Sequence, residues 1–196
     1  FFHFDAEAEF AVEVDPRNLA DDKVTAFADA GVNRVSIGVQ DFSPQVQQAI
    51  NREQSYETTA RAVDRFREAG VRSVNIDLVY GLPHQTRDSV EATIGQVLAL
   101  APDRIALFGY AHLPSRLTHQ RLIDEKTLPR TVERFAQANR AANLLVAAGY
   151  VRIGLDHFAL ATDTLARGPV RRNFQGYTTD TAATLIGLGA SAIGRL

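Results

Sequence analysis

The 196-residue sequence carries 21 Lys and Arg against 23 Asp and Glu, a formal net charge of −2 at pH 7. This balance excludes the broad basic surface of nucleic-acid-binding proteins, and the absence of cysteine excludes disulfides and thiolate metal sites within the sequence. Hydrophobic residues make up 45%, as is ordinary for a globular domain, and no apolar run is long enough to suggest a membrane span.

Short β-rich segments alternate with longer helical patterns along the chain. Strands are predicted over residues 10–14, 34–40, 73–79, 104–108 and 150–155. Helices are predicted over residues 19–30, 44–50, 56–69, 87–100 and 131–148. This alternation is typical of parallel strands joined by crossover helices. We therefore predict an α/β fold in which residues 1–155 form one β/α unit and residues 156–196 form a less regular tail.

Polar residues fall at or just after the carboxyl ends of the first four predicted strands. In chain order they are Glu13, Gln40 with Asp41, Asp77, and Tyr110 with His112. The active site of a parallel β/α barrel is assembled from these strand ends and the loops that follow them. The alternative is that such residues only cap the next helix. We favour a site, because a carboxylate such as Asp77, set among aliphatic residues, needs a buried partner.

Arg52 lies in the loop region that follows the second strand's short helix. A single arginine is usually a solvated surface residue. Its position above the predicted barrel mouth nevertheless suits two-pronged binding of a carboxylate by the guanidinium group. We therefore predict that Arg52 binds the carboxylate of a cofactor or of the substrate.

Three weaker patterns lie late in the chain. Residues 187–192 read GLGASA, a loose dinucleotide-binding pattern that indicates either close backbone approach to a ligand or a tight turn. His157 follows Asp156, but no nucleophile motif accompanies the pair, so a structural histidine is favoured. Four arginines form a local basic cluster in the sequence, namely Arg152, Arg167, Arg171 and Arg172.

Six motifs occur in a fixed order along the chain. They are EVDPR from Glu13, GVQDF from Gly38, NREQ from Asn51, NIDLVYGLP from Asn75, YAHLP from Tyr110 and RNFQGYTT from Arg172. Together they closely resemble the oxygen-independent coproporphyrinogen III oxidases, from residue 10 to the end. The IDLVYGLP element is shared with the related haem chaperones, whereas the NREQ, YAHLP and NFQGY segments resemble the oxidases proper.

The resemblance implies a partial parallel (β/α) barrel of the radical S-adenosylmethionine type. It implies oxidative decarboxylation of two propionates of coproporphyrinogen III to vinyl groups, giving protoporphyrinogen IX in haem biosynthesis. The implied cofactors are a [4Fe–4S] cluster and two molecules of S-adenosylmethionine, and a reductase or flavodoxin-like protein would donate electrons. A cytoplasmic monomer without nucleic-acid or membrane partners is expected. A haem chaperone or other non-catalytic relative is the alternative, and chance resemblance to another β/α-barrel enzyme is a weaker one.

The resemblance also assigns cofactor-binding residues. Glu13 would hold the first S-adenosylmethionine, with Ile193 near its adenine. Gln175, in the NFQGY segment, is a further cofactor-binding candidate. The residues that match the second S-adenosylmethionine site are Gln40, Arg52, Asp77 and Ala111. The family's three cluster cysteines match nothing here, so we expect no metal ligand in this sequence and assign no catalytic residue.

The sequence also contains no methionine. A flexible thioether is a favoured gap-filler in protein cores, so its absence is unusual for a chain of this size. We expect the sequence to be part of a longer polypeptide whose cluster motif lies upstream of Phe1. The stretch between Phe158 and Arg172 is shorter than is usual in the family. We therefore expect a chain break there, with neighbouring Cα atoms well beyond the roughly 3.8 Å of a trans peptide.

Overall fold

The computed structural model describes residues 8–173, 176–184, 186 and 193–195. Its largest element is a six-stranded sheet in the order β1-β2-β3-β4-β6-β5. The strands are β1 (Ala11–Val14), β2 (Arg34–Gln40), β3 (Ser73–Tyr80), β4 (Arg104–Gly109), β5 (Tyr150–Ile153) and β6 (His157–Leu160). Strands β1 to β4 are mutually parallel, while β6 is antiparallel to both β4 and β5. The predicted α/β class is confirmed.

Crossover helices connect the parallel strands. The helices are α1 (Asp21–Asp29), α2 (Pro44–Ala49), α3 (Tyr56–Glu68), α4 (Arg87–Ala99), α5 (Thr131–Ala147) and α6 (Thr164–Arg167). Local sequence sets their ends: the Ser55 hydroxyl accepts a hydrogen bond from the Thr58 N–H at the start of α3, and Gly70 follows its end at a φ of +88°. Within the described part of the chain, no helix is both long and apolar enough to cross a membrane.

The core lies on the helix-covered face of the sheet. Residues alternate between buried and partly exposed along β2 and β3, as successive side chains of a strand point to opposite faces. The buried set of these strands is Val35, Ile37, Val39, Val74, Ile76 and Leu78. Phe66 of α3 and Ile94 of α4 belong to the same cluster. This alternation leaves the other face of the sheet available for polar residues.

The chain reverses after β5, which the sequence pattern did not predict. The predicted strand over 150–155 ends at Ile153, and Gly154 takes a φ of +59°, a conformation suited to glycine. Strand β6 then inserts between β4 and β5, with Phe158 opposite Ile105. The first residues of the predicted tail over 156–196 thus lie within the sheet. Later in that segment, β7 (Arg171–Asn173) and β8 (Gly176–Thr178) form a separate antiparallel hairpin.

Short-range backbone hydrogen bonds span residues 160–168, within the stretch where a chain break is expected. The N–H groups of Asp163, Ala166 and Gly168 donate to the carbonyls of Leu160, Asp163 and Thr164, respectively. The expected break in this stretch stays a prediction. Leu165 of α6 is buried against β5 and β6, which anchors this short connection.

Candidate functional site

The strand register gathers polar side chains on the face of the sheet opposite the core. Glu13 of β1 is the partner of Ser36 on β2, and Ser36 is the partner of Asn75 on β3. Register partners point to the same side of a sheet, and so do residues two apart on a strand, which adds Asp77. These four residues define what we call the polar face. Glu13 is exposed there, between the partly buried Val12 and Val14.

Asp77 is held by two hydrogen-bond donors on this face. The Ser36 Oγ donates to Oδ2 at 2.9 Å, and the Asn75 Nδ2 donates to Oδ1 at 2.7 Å. Burial raises the pKa of Asp77, while these hydrogen bonds and the nearby His157 act in the opposite direction. Among the residues described, no Lys or Arg forms an ion pair with Asp77. A fixed, partly buried carboxylate without a cationic side-chain partner is suited to a cationic ligand group.

Gln40 and Arg52 converge beside Asp77 because of an irregularity in β2. The register shifts between Gly38 and Gln40, and Gln40 adopts a φ of +68°, a left-handed conformation that costs about 1 kcal/mol or more for a residue with a side chain. A Cβ atom on Gly38 would lie 3.1 Å from Gln40 Nε2 and 3.2 Å from Arg52 Nη2. Gly38 is also the register partner of Asp77. Three of the predicted residues therefore surround one glycine.

Hydrogen bonds hold the Arg52 guanidinium in place but do not use all of its donors. Its Nη2 donates to the Gly38 carbonyl at 2.8 Å and to Gln54 Oε1 at 3.3 Å, and its Nη1 donates to Asp15 Oδ2 at 3.2 Å. Its Nε is buried and has no hydrogen-bond partner among the described residues. A buried donor without a partner is rare in proteins and indicates a place where a ligand or water accepts the bond.

Asp15 fixes the far side of Arg52. Its carboxylate accepts hydrogen bonds from Arg17 Nε at 3.0 Å and from Arg17 Nη2 at 2.6 Å, and it also forms the ion pair with Arg52. Hydrogen bonding to Arg17, with the charge of Arg52, lowers the pKa of Asp15 from 3.8 to about 2. Asp15 therefore stays ionised and holds the Arg52 side chain in place.

Asp15→Asn should lower the free energy of unfolding by about 1 kcal/mol at neutral pH, after allowance for solvent screening at this partly exposed site. Because the pKa of Asp15 is lower in the folded protein, its stabilisation is present above about pH 4 and is lost as the pH falls towards 2. Urea unfolding of both proteins at pH 7 and pH 3 measures this difference. If the difference in free energy of unfolding between the two proteins did not shrink at pH 3, the ion pair of Asp15 would not be the source of the stabilisation.

Asp41, predicted with Gln40, turns to the other side of the sheet. It is buried and accepts hydrogen bonds from the Ser43 N–H and from Gln85 Nε2, both at 2.6 Å. Gln85 also donates to the Val79 carbonyl at 2.8 Å. Burial raises the pKa of Asp41, and these hydrogen bonds oppose that effect. Asp41 thus ties the start of α2 to β3 rather than contributing to the polar face.

Ala111 lies in a hydrogen-bonded loop after β4. Its carbonyl accepts a hydrogen bond from the buried Gln120 Nε2 at 2.9 Å, and Gln120 Oε1 accepts one from the Leu113 N–H at 2.5 Å. The neighbouring Tyr110 hydroxyl lies 3.1 Å from His112 Nδ1. The loop leaves β4 beyond Gly109, the register partner of Tyr80, so it stands at the same end of the sheet as Asp77.

The remaining predicted residues are Ile193 and Gln175. Ile193 is exposed, and Gln175 and the 187–192 motif lie outside the described residues. Sequence reasoning missed Ser36 and Asn75, although their polar character at alternate positions of apolar strands was a usable signal. In the described ranges, no group of three or more His, Asp or Glu residues is placed to hold a metal ion.

Comparison with known proteins gives consistent matches. Residues 4–97 match the model of the radical SAM superfamily. The sequence is 52% identical over 196 residues to a coproporphyrinogen III oxidase, anaerobic 1, of Cereibacter sphaeroides. It is 55% identical over 193 residues to an oxygen-independent coproporphyrinogen III oxidase of Bradyrhizobium diazoefficiens. These alignments cover 98% and 96% of this chain but only 43% of either relative.

The fold also matches a solved structure. The chain superposes on the coproporphyrinogen III oxidase of Escherichia coli, a radical SAM enzyme, with a TM-score of 0.94 and 43% sequence identity. The superposition covers 100% of this chain and 46% of that protein. The chain thus spans less than half the length of these relatives, and its strands, helices and polar face correspond to part of a larger protein.

Proposed function

The chain belongs to the radical S-adenosylmethionine superfamily and, within it, to the oxygen-independent coproporphyrinogen III oxidases; from this premise we propose that the protein containing it oxidatively decarboxylates coproporphyrinogen III. Two propionates would become vinyl groups, giving protoporphyrinogen IX in haem biosynthesis. The main support for the proposal is that Asp77, Gln40 and Arg52 converge around Gly38 in a chain that belongs to this family. We propose a cytoplasmic monomer that receives electrons from a reductase or flavodoxin-like protein.

We propose that Asp77 of the polar face and the neighbouring Arg52 bind S-adenosylmethionine, which carries a carboxylate together with cationic ammonium and sulfonium groups. The unpartnered Nε of Arg52 supports binding of the carboxylate, and the Asp77 carboxylate supports binding of a cationic group. Gln40 and Ala111 would complete this site. Glu13, with Ile193, would hold another S-adenosylmethionine molecule, and Gln175 would assist. When bound, S-adenosylmethionine supplies the radical-generating chemistry of the superfamily.

The described residues do not fit an iron–sulfur cluster. Such clusters are held by cysteine thiolates, and this sequence contains none. The ligands of the proposed [4Fe–4S] cluster would therefore come from polypeptide outside this sequence. The contribution of this chain is to bind and orient. Ser36 and Asn75 fix the Asp77 carboxylate, Asp15 fixes Arg52, and the segment over 156–196 would complete the active site.

The proposal is tested by an anaerobic assay of the full-length protein with coproporphyrinogen III, S-adenosylmethionine and a reductant. We expect stoichiometric release of CO2 and formation of protoporphyrinogen IX. The product is measured by its absorbance after it has been oxidised. Haem binding without decarboxylation would instead support a haem chaperone, with which the IDLVYGLP segment is shared. Absence of both activities would reject the proposal.

Arg52→Ala should weaken S-adenosylmethionine binding in the full-length protein about ten- to a hundredfold, because a charged hydrogen bond to the ligand carboxylate is lost. Equilibrium dialysis with labelled S-adenosylmethionine measures the effect. Arg17→Ala is the matched control, since it removes the other guanidinium on Asp15 without touching Gly38. Equal losses in both variants would mean that the Asp15 anchor, rather than ligand contact, explains the effect.

A further inference from the structure

The β7–β8 hairpin packs beside the polar face through a set of side chains that the proposed cofactor sites do not use. We call Asp156, His157, Arg172 and Tyr177 the hairpin cluster. The His157 ring stands edge-on to Tyr177, with ring centroids 5.1 Å apart, and its Nδ1 lies 2.8 Å from Asp156 Oδ1. His157 also makes an edge-on contact with Phe108, with ring centroids 5.7 Å apart. Residues from β4, β6 and the hairpin therefore meet in one place.

The hairpin cluster is continuous with the proposed active site. Asp77 is the register partner of Ala106, and Ala106 is the register partner of His157. The two polar side chains therefore belong to the same row of the sheet and point to the same face. His157 is also among the groups that lower the pKa of the Asp77 carboxyl. A ligand that binds at Asp77 and extends across the strands along this row would contact the hairpin cluster.

Two glycines make room for this arrangement. Gly154 has a φ of +59°, and a Cβ atom there would collide with the Tyr177 hydroxyl. Gly176 has a φ of +132°, and a Cβ atom there would lie 3.2 Å from His157 Nε2. The Tyr177 hydroxyl instead accepts a hydrogen bond from the Leu155 N–H at 3.1 Å. The Tyr177 side chain is thus held by the hydrogen bond at its hydroxyl and by the ring contact with His157.

Arg172 is positioned by these groups but is only weakly bonded to them. Its guanidinium carbon lies 5.1 Å from the centroid of the Tyr177 ring, its Nη2 lies 3.6 Å from Asp156 Oδ2, and its Nη1 lies 3.4 Å from the Tyr177 hydroxyl. Half of the side chain is exposed. By contrast, both carboxylate oxygens of Asp163 accept hydrogen bonds from Arg104 at 2.9 Å. Arg172 therefore keeps donors for a further acceptor.

A guanidinium beside aromatic rings fits a ligand that is apolar at its centre and carboxylated at its rim. Phe108 is 38% exposed, and with Tyr177 it offers apolar surface next to the Arg172 charge. A porphyrinogen has this chemistry, and it retains propionates that the reaction does not convert. Such a carboxylate needs a cationic partner when it leaves water, and a planar guanidinium provides a two-pronged one.

We propose that Arg172 binds an unreacted propionate of the substrate at the edge of the polar face, with the Tyr177 ring holding the guanidinium in position. The inference rests on the proposed function, because it names how that same site recognises its substrate. It also explains one member of the arginine cluster found in the sequence. Arg171, its neighbour on β7, points to the opposite side of the strand and has no part in the site.

The test is equilibrium binding of coproporphyrin III, the stable oxidised form of the substrate ring, to the full-length protein by fluorescence. Arg172→Gln should raise the Kd about ten- to a hundredfold, and Arg172→Lys should raise it less, because lysine keeps the charge but loses the two-pronged geometry. Arg171→Gln, with the same change in charge, should leave the Kd within about twofold. The tetramethyl ester of coproporphyrin III, which lacks carboxylates, should bind wild type and Arg172→Gln equally.

Equal weakening by Arg171→Gln and Arg172→Gln would overturn the proposal in favour of a general charge effect. An unchanged Kd in Arg172→Gln, or an equal loss of ester binding, would overturn it as well. The binding test is separable from the proposed activity. A wild-type protein that binds coproporphyrin III through Arg172 but releases no CO2 contradicts the decarboxylase function alone, whereas normal turnover with unaltered binding in Arg172→Gln contradicts the Arg172 role alone.

Discussion

Asp77→Asn in the full-length protein should reduce turnover of coproporphyrinogen III about a hundredfold or more, without a loss of folding stability. The substitution keeps the shape of the side chain, and Ser36 and Asn75 can still bond to it. It removes the negative charge that would face a cationic group of S-adenosylmethionine, and loss of one partner of a buried charge pair is worth several kcal/mol. Initial rates at saturating and limiting S-adenosylmethionine measure the effect.

The direction of the pKa shift of Asp77 predicts how the substitution changes folding stability. Burial raises the pKa of Asp77, so the ionised carboxylate destabilises the fold at neutral pH. Asn at this position should leave the free energy of unfolding unchanged or slightly higher. Asp64→Asn, at an exposed position of α3, is the control for removal of one charge. Full turnover in Asp77→Asn, or a parallel loss of turnover and stability, would reject its role as a ligand-binding carboxylate.

Local sequence patterns predicted the parallel part of the sheet well. The predicted bounds of β2 match the observed Arg34–Gln40, and the helix predicted over 56–69 corresponds to Tyr56–Glu68. These segments succeed because alternation of period two and helical periodicity are properties of a few neighbouring residues. The placement of Gln40 and Asp77 near strand ends follows from the same local patterns, since a parallel sheet brings its carboxyl ends to one edge.

The supporting contacts of the site could not be predicted in the same way. The bond from Arg52 to Asp15 and the bond from Ser36 to Asp77 join residues that are 37 and 41 positions apart. They depend on the register between strands, which sequence periodicity leaves open. The left-handed backbone of Gln40 is likewise set by the bulge in the β2–β3 pairing, not by its own preference.

Strand β6 shows the limit of the periodicity argument most directly. Only four residues long, it has the composition of a buried segment, which does not reveal whether its neighbours are parallel or antiparallel. Its direction is decided by the reversal at Gly154 and by non-local pairing with β4. This pairing also places His157 in the row of Asp77. The absence of β6 from the predicted strands and the omission of His157 from the predicted site therefore have the same cause.

The position of β6 has a measurable energetic consequence at Phe158. This side chain is 1% exposed and belongs to the main core cluster, where it faces the helices from the antiparallel strand. Phe158→Ala should lower the free energy of unfolding by about 3–5 kcal/mol, from lost burial and the cavity left behind. Urea unfolding, followed by fluorescence and by circular dichroism, measures the change. This loss is a large fraction of the stability of a typical domain.

Phe135→Ala is the matched control, because the same truncation occurs at a side chain of α5 that is 69% exposed. It should change the free energy of unfolding by less than about 0.5 kcal/mol. If residues 156–160 only covered the sheet loosely, both substitutions would change the free energy of unfolding by similar, small amounts. Equal effects of the two substitutions would therefore contradict the insertion of β6 between β4 and β5, and with it the row that connects Asp77 to His157.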